Sequence, residues 1–249
     1  IEEVKEISRK ENIKSIEIRG GTGYKDFDSI TQYKIFKIDL TMGKEEVWKR
    51  LKPKSVRYPV KKAQKMGIKV EIRRDKEAIK EFYYLNLLTR KKHGVFPQPY
   101  RFFENVWKYL IKEGYGFVAL ANYEGKIIAG SVFFEYGDYI YYKFNASDAT
   151  YRRTGANHFI LWKVVEYACE KGKKCFDFGR TSVENRGLLD FKKHWGGEER
   201  DLSYYFYPPG KFTGIKESGL KYRIITGILR RFPLWALKAG GEIFYKYLG

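Results

Sequence analysis

Three runs of alternating apolar residues, joined by tight turns and followed by one helical run and one short apolar run, constrain this chain more than any other feature. The runs are Phe117 to Ala121, Ile127 to Glu135 and Tyr139 to Asn145. Asn122-Tyr123-Glu124-Gly125 and Gly137-Asp138 separate them with residues that accept turn dihedrals, so the three read as an antiparallel meander. Asn157 to Lys171 follows, with Phe159, Ile160, Val164, Tyr167 and Ala168 on one helical face and Gly172 as its stop. Cys175 to Phe178 then reads as a strand. A helix between two strands of one sheet is a crossover, so the third meander strand and Cys175 to Phe178 are expected to be parallel neighbours.

The flanks extend this pattern. Ile68 to Ile72 alternates as a strand. Asp75 caps a helix reaching about Lys92, with Ile79, Phe82, Tyr83 and Leu87 on one face. The loop from His93 to Pro99 leads to a second helix, Tyr100 to Lys112, ended by Gly114. After the crossover come a short helix near Leu188 to His194 and a strand from Leu202 to Tyr207, closed by Pro208-Pro209. The order β-α-α-β-β-β-α-β-α-β predicts an α/β (α+β) unit with a mixed sheet over residues 68–209.

Residues 1–40 hold a weak helical period, a strand at Ser15 to Arg19 and another at Tyr33 to Leu40. They read as the remnant of a preceding unit, and the chain opens at Ile1 without Met, so more sequence is expected upstream. Gly20-Gly21-Thr22-Gly23 lacks the Lys-Ser/Thr ending of a phosphate loop and reads as a flexible connection. Residues 41–67 form two basic connecting helices, Lys44 to Leu51, stopped by Pro53, and Ser55 to Met66, capped by Gly67. Arg57, Lys61, Lys62 and Lys65 line one face of the second. That face is either solvated, or Arg57 and Lys61, four apart, grip a phosphate or carboxylate.

Lysine and arginine number 49 against 30 acidic residues, a net charge of +19. The surplus points to an anionic partner: nucleic acid, a phosphate-bearing substrate or an acidic membrane face; a merely solvated surface is the other reading. Three histidines and two cysteines, Cys169 and Cys175, do not make a metal cluster, so no metal is expected. The cysteines read as reduced thiols, which favours the cytosol. No apolar run of ~18 residues is present to span a membrane. Residues 210–249 form a basic amphipathic tail. Ile224, Ile225, Ile228, Leu229, Phe232, Leu234, Trp235 and Leu237 alternate there with Arg223, Arg230, Arg231 and Lys238, and Pro233 kinks it. It either lies on an anionic bilayer or packs back on the domain.

The candidate site is the stretch Phe176-Asp177-Phe178-Gly179-Arg180-Thr181-Ser182 with its continuation from Gly187 to Gly196. Chemistry in α/β proteins sits where strands end. Arg180 follows the strand as a clamp for a carboxylate or phosphate, or as a salt-bridge partner of Asp177 or Glu184. His194 is a base or a packing residue beside Trp195. Arg152-Arg153-Thr154-Gly155-Ala156-Asn157 precedes the crossover helix, and a glycine-bearing helix N-terminus can cradle a phosphate. No Ser-His-Asp or Cys-His set is legible.

The element order of residues 68–207 resembles the GNAT acyltransferase fold, whose central parallel strands splay apart. Narrower motifs resemble the Fem-type aminoacyltransferases: the helix carrying Arg57, Val60, Lys61, Lys62, Ala63, Lys65 and Gly67; the loop with Thr89-Arg90, His93-Gly94 and Pro97; and Asp177-Phe178-Gly179-Arg180 through Phe191-Lys192 and Trp195-Gly196. The tail Leu229-Arg230-Arg231-Phe232-Pro233-Leu234 resembles endings of Fem-related proteins. The resemblance implies two GNAT-like halves, of which residues 68–209 would be the second. It implies amide formation by transfer from aminoacyl-tRNA, or from acyl-CoA in related proteins, to an amine of an anionic envelope precursor, lipid- or nucleotide-linked.

No tightly bound cofactor is implied, and the protein is expected in the cytoplasm, peripheral to the inner membrane face. Phe191 and Lys192 match the family's catalytic Phe-Lys pair, with Lys192 as oxyanion stabiliser or acceptor anchor and Arg180 beside it. Arg57, Lys61, His93, Tyr142, Asn145, Asp177 and Trp195 are the expected substrate contacts. Arg152, Arg153, Gly155 and Asn157 are the expected donor-phosphate contacts, although Asn157 stands where acyl-CoA enzymes carry a small residue. A nucleic-acid-binding module and a membrane-surface adaptor with a degenerate GNAT fold are the alternatives.

Overall fold

The computed structural model describes residues 1–210 and 220–245, the latter stretch with side chains from residue 225. The side chains of Arg223 and Ile224 therefore lie outside the described residues, as do residues 246–249. In chain order the elements are α1 Glu2–Lys10, β1 Ile16–Arg19, β2 Asp28–Asp39, α2 Lys44–Arg50, α3 Tyr58–Lys65, β3 Lys69–Arg73, α4 Lys76–His93 and α5 Tyr100–Val106. They continue with β4 Gly116–Tyr123, β5 Lys126–Tyr136, β6 Tyr139–Ser147, α6 Ala156–Glu170, β7 Cys175–Ser182, α7 Arg186–Lys193, β8 Glu198–Tyr207, α8 Leu220–Leu229 and α9 Leu234–Phe244.

All eight strands join one sheet in the order β1-β8-β2-β7-β6-β5-β4-β3. Every pairing is antiparallel except β6 with β7, which is parallel as the crossover requires. Alternation along β4 divides the interior. Phe117, Ala119 and Ala121 face a core shared with Val60, Ile160, Phe176 and Trp195, which α2, α3 and α6 cover. Val118 and Leu120 face a second core with Phe82 and Phe103, which α4 and α5 cover. Buried on both faces, the first six residues of β4 are continuously apolar or glycine.

Three segments depart from the sequence expectation. First, β2 lies between β7 and β8, so the boundary expected at residue 40 does not divide the sheet; the strands of residues 69–207 are joined across β2. Second, β7 runs on to Ser182, because β2 pairs with its Gly-Arg continuation instead of leaving a turn. Third, the helix expected from Ser55 begins as a π-helical turn, Pro53–Arg57, in which the N–H groups of Arg57 and Tyr58 reach back to Lys52 and Pro53. Pro59 has no N–H to close the normal turn there.

Within the tail, α8 and α9 pack back on the domain. A Cβ on Gly94 would lie 2.0 Å from the Thr226 carbonyl, and one on Gly241 would lie 2.4 Å from the Pro97 carbonyl. The Tyr100 N–H donates to Glu242 Oε1 at 3.2 Å. Among the described residues, no helix is long and apolar enough to cross a membrane, and no three His, Cys, Asp or Glu side chains cluster as for a metal. Cys169 and Cys175 are half-buried free thiols.

Candidate active site

The parallel strands part at one place. β6 and β7 pair at Tyr139/Cys175, Ile140/Phe176 and Tyr141/Asp177, and nowhere beyond. Each strand carries an extra residue just past the last pair. On β6, Tyr142 and Phe144 oppose Phe133 and Val132, leaving Lys143 unmatched. On β7, Asp177 and Arg180 oppose Lys37 and Ile35, so Phe178 and Gly179 together face Phe36. Gly179 has φ +68°, the left-handed conformation that favours glycine. A bulge bends its strand and interrupts the ladder, so two adjacent bulges bend the strands where the sheet opens.

Lys192 occupies the inner end of this opening. Asn185 caps α7 by accepting from the Leu188 N–H at 3.2 Å, and the helix turns Leu189 and Lys192 inward. Lys192 is only 3% exposed. Its Nζ donates to the Phe178 carbonyl at 2.6 Å and to the Gly179 carbonyl at 2.9 Å. Burial pushes its pKa down to about 8, while the Asp177 charge works the other way. Asp177 is held by the Gly179 N–H at 2.7 Å and lies 3.6 Å from Lys37 Nζ. An ammonium has three N–H donors, and these two carbonyls take two of them. Among the described residues, no other acceptor takes the third.

An aromatic wall backs the lysine. Phe191 packs edge-on to His158 with centroids 5.3 Å apart, and His158 stacks over Trp195. Burial, with His194 nearby, pushes the His158 pKa down to about 4, so its ring is neutral at pH 7. Trp195 is fully buried and its Nε1 has no partner among the described residues. It backs the lysine as a buried ring and is not an exposed surface residue. Tyr142 stacks on Phe133 and meets Phe178 edge-on, and burial raises its phenol well above the usual range.

A second group gathers at the N-terminus of α6. Gly155 has φ +84°, and a Cβ there would lie 2.3 Å from the Pro59 carbonyl. The glycine thus permits the first turn of α3 to cover the start of α6. Asn157 donates from Nδ2 to Ser147 Oγ at 3.3 Å, while its Oδ1 is buried without a partner among the described residues. Arg57 Nε is likewise buried without a partner among the described residues. Arg152 and Arg153 are exposed on the turn Ala149–Thr154, and Lys61 is exposed on α3.

Other expected contacts lie elsewhere. The Arg180 guanidinium sits 4.8 Å from the Tyr33 ring centroid and donates to the Tyr204 hydroxyl, on the β2–β8 side and not in the opening. It pairs with neither Asp177 nor Glu184. The reason is the register: Arg180 opposes Ile35 of β2 on an extended strand. His93 is exposed at the end of α4, its pKa lowered by burial and by Lys92, Arg90 and Arg230, which places it beside the tail. Asn145 is exposed on β6 and accepts from Ser131 Oγ at 3.0 Å. His194 follows α7 and its carbonyl accepts from the Lys52 N–H. A cavity of about 540 Å³, lined by Lys37, Arg50, Cys175, Trp195 and Arg200 among others, lies at the opposite end of β7 from the opening.

Sequence reasoning missed His158 and Lys37. His158 lies 34 positions before Lys192 and Lys37 lies 140 before Asp177. No local motif links residues so far apart. The one local signal was Gly179, a lone glycine in a strand pattern, which marks a bulge.

Residues 50–193 match the family model for the acetyltransferase (GNAT) domain. The lipid II:glycine glycyltransferase of Staphylococcus saprophyticus is 32% identical over 111 residues, covering 42% of this chain and 25% of that protein. The protein of the same name from Staphylococcus aureus is 34% identical over 126 residues, covering 48% of this chain and 28% of that protein. The chain thus spans about a quarter of the length of these curated relatives. Among solved structures, FemX matches with a TM-score of 0.70 at 19% identity, over 82% of this chain and 74% of that one. The L-PGS of Bacillus licheniformis matches with a TM-score of 0.55 at 15% identity, over 83% of this chain and 68% of that one. At these identities the structural likeness is one of fold.

Proposed function

The chain belongs to the acetyltransferase (GNAT) domain family, and on that premise we propose that it forms an amide by direct transfer of an aminoacyl group to an amine of a peptidoglycan-type precursor. The observation that carries this reading is Lys192: a buried ammonium, fixed by the Phe178 and Gly179 carbonyls at the point where β6 and β7 part. The acceptor amine attacks the acyl carbonyl carbon. The carbonyl oxygen becomes an oxyanion, which takes the third N–H of Lys192. The C–O bond to the donor hydroxyl then breaks, and the proton lost by the amine ends on that hydroxyl. A preorganised donor aimed at the developing charge is worth ~10²–10³ in rate. His158, neutral and stacked on Trp195, positions Phe191 and brings no charge to the site.

The donor is aminoacyl-tRNA. The first turn of α3 covers the α6 N-terminus, where the pyrophosphate of acyl-CoA would approach, and Gly155 serves that helix contact. Arg57, Arg152 and Arg153 stand around it, and the net charge of +19 suits a polyanionic donor. The acceptor is an anionic envelope precursor, lipid- or nucleotide-linked, which places the protein in the cytoplasm at the inner membrane face. The lipid II:glycine glycyltransferases bear on this acceptor through the shared region.

The test is to incubate the protein with charged tRNA or acyl-CoA and an amine-bearing peptidoglycan precursor, and to weigh the products. A precursor heavier by one aminoacyl residue, formed with charged tRNA and not by Lys192→Met, is the expected result. Transfer from acyl-CoA alone would overturn the donor, and no product with either would overturn the reaction.

A further inference from the structure

The α8–α9 hairpin is packed with its apolar side outward. Its inner surface is Thr226 and Leu229 on α8, with Leu237 and Gly241 on α9, seated against Gly94 and Pro97. Its outer surface carries Ile225 at 55% exposure, Ile228 at 51%, Phe232 at 38%, Trp235 at 75% and Ile243 at 58%. A surface helix ordinarily buries such residues and exposes its threonine. Here Thr226 is 7% exposed while the isoleucines on either side of it face solvent.

Charge says what covers this ridge. Arg230, Arg231 and Lys238 are exposed among the apolar residues. The exposed acid of α9, Glu242, accepts from the Tyr100 backbone on the inner side. A second copy of a chain with net charge +19 would bring like charges together. An anionic bilayer matches both features: Trp235 and Phe232 suit the headgroup–acyl boundary, and the arginines suit lipid phosphates. We propose that the α8–α9 hairpin docks the protein on an anionic membrane surface, with Ile228, Phe232 and Trp235 entering the lipid and Arg230 and Arg231 on its phosphates. The hairpin lies on the bilayer and does not span it, since among the described residues neither helix is long and apolar enough to cross. This rests on the reading above only for the substrate the bilayer presents; the chemistry of Lys192 plays no part in it.

The test is co-sedimentation of the whole chain with vesicles of phosphatidylcholine alone and with phosphatidylglycerol added. Binding is expected only with phosphatidylglycerol. Trp235→Ser and Ile228→Ser should each weaken it about tenfold. The pair Arg230→Gln and Arg231→Gln should weaken it roughly thirtyfold. All these positions are exposed, so thermal unfolding should not move. Lys192→Met should bind vesicles like the unaltered chain while losing transfer, which separates a failure here from a failure of the reaction. Binding absent from both vesicles, equal on both, or unchanged in the serine variants would overturn the proposal. So would a dimer in sedimentation velocity that Trp235→Ser dissolves.

Discussion

Replacing Lys192 by methionine will change how stability depends on pH, in a window fixed by the structure. The lysine loses its proton near 10.5 in the unfolded chain and about 8 in the fold, where burial disfavours the ammonium. Below pH 8 both states hold the proton, and the fold bears the full cost of burying it, roughly 3 kcal/mol. Between 8 and 10.5 the unfolded chain binds more protons than the folded one, so the stability of the unaltered protein rises with pH. Above 10.5 the cost is gone. Methionine has no proton to lose. It also leaves the Phe178 and Gly179 carbonyls short of a donor, but that loss does not vary with pH. Urea unfolding of both proteins at steps from pH 7 to 11 isolates the effect, because tyrosine titration and general alkaline effects cancel in the difference. The difference should climb by roughly 3 kcal/mol in favour of the unaltered protein between 8 and 10.5. Parallel curves would show that Lys192 is not buried as an ammonium against those carbonyls.

On the acid side, His158 titrates near 6.5 when unfolded and about 4 when folded, so stability should fall by roughly 3 kcal/mol as pH drops through that window. His158→Phe should flatten that limb in unfolding measured from pH 4 to 7. Gly155→Ala puts a Cβ 2.3 Å from the Pro59 carbonyl at a positive φ, so thermal denaturation should report a loss of about 1–3 kcal/mol as α3 is pushed off α6. Arg180→Ala removes a guanidinium that rests on Tyr33 and Tyr204, outside the opening. It should cost about 1 kcal/mol of stability and leave the transfer rate within about threefold, as a steady-state assay would show.

Local periodicity made most of the sheet legible. The meander turns, the Asp75 cap and the crossover helix each follow from a few neighbouring residues, and each element formed near its expected position. The neighbour of β7 was not legible: β2 arrives from residues 28–39, and nothing in either strand announces a pairing between Tyr33 and Ser182. That missing neighbour is why the strand reads as ending at Phe178, with Arg180 beyond it. Lys192 could be singled out by resemblance, yet its burial could not, because the two carbonyls that hold it come from a bulge created by that pairing. Arg180 was misplaced for the same reason. An extended strand sends its side chain to Tyr33 and Tyr204, whereas a turn would have left it at the opening. The reversed hairpin was half visible: the sequence shows apolar and basic residues mixed, and only packing against Gly94 and Pro97 decides which side faces out.

The most direct test of the proposed chemistry is the single-turnover rate of aminoacyl transfer at pH 7 for the unaltered protein, Lys192→Arg and Lys192→Met. Circular dichroism should show all three folded. The predicted result is a fall of ~10²–10³ for methionine, with arginine, which keeps a charged donor, recovering part of it. A methionine variant within about tenfold of the unaltered rate would contradict a fixed ammonium at the β6–β7 opening as the group that stabilises the oxyanion.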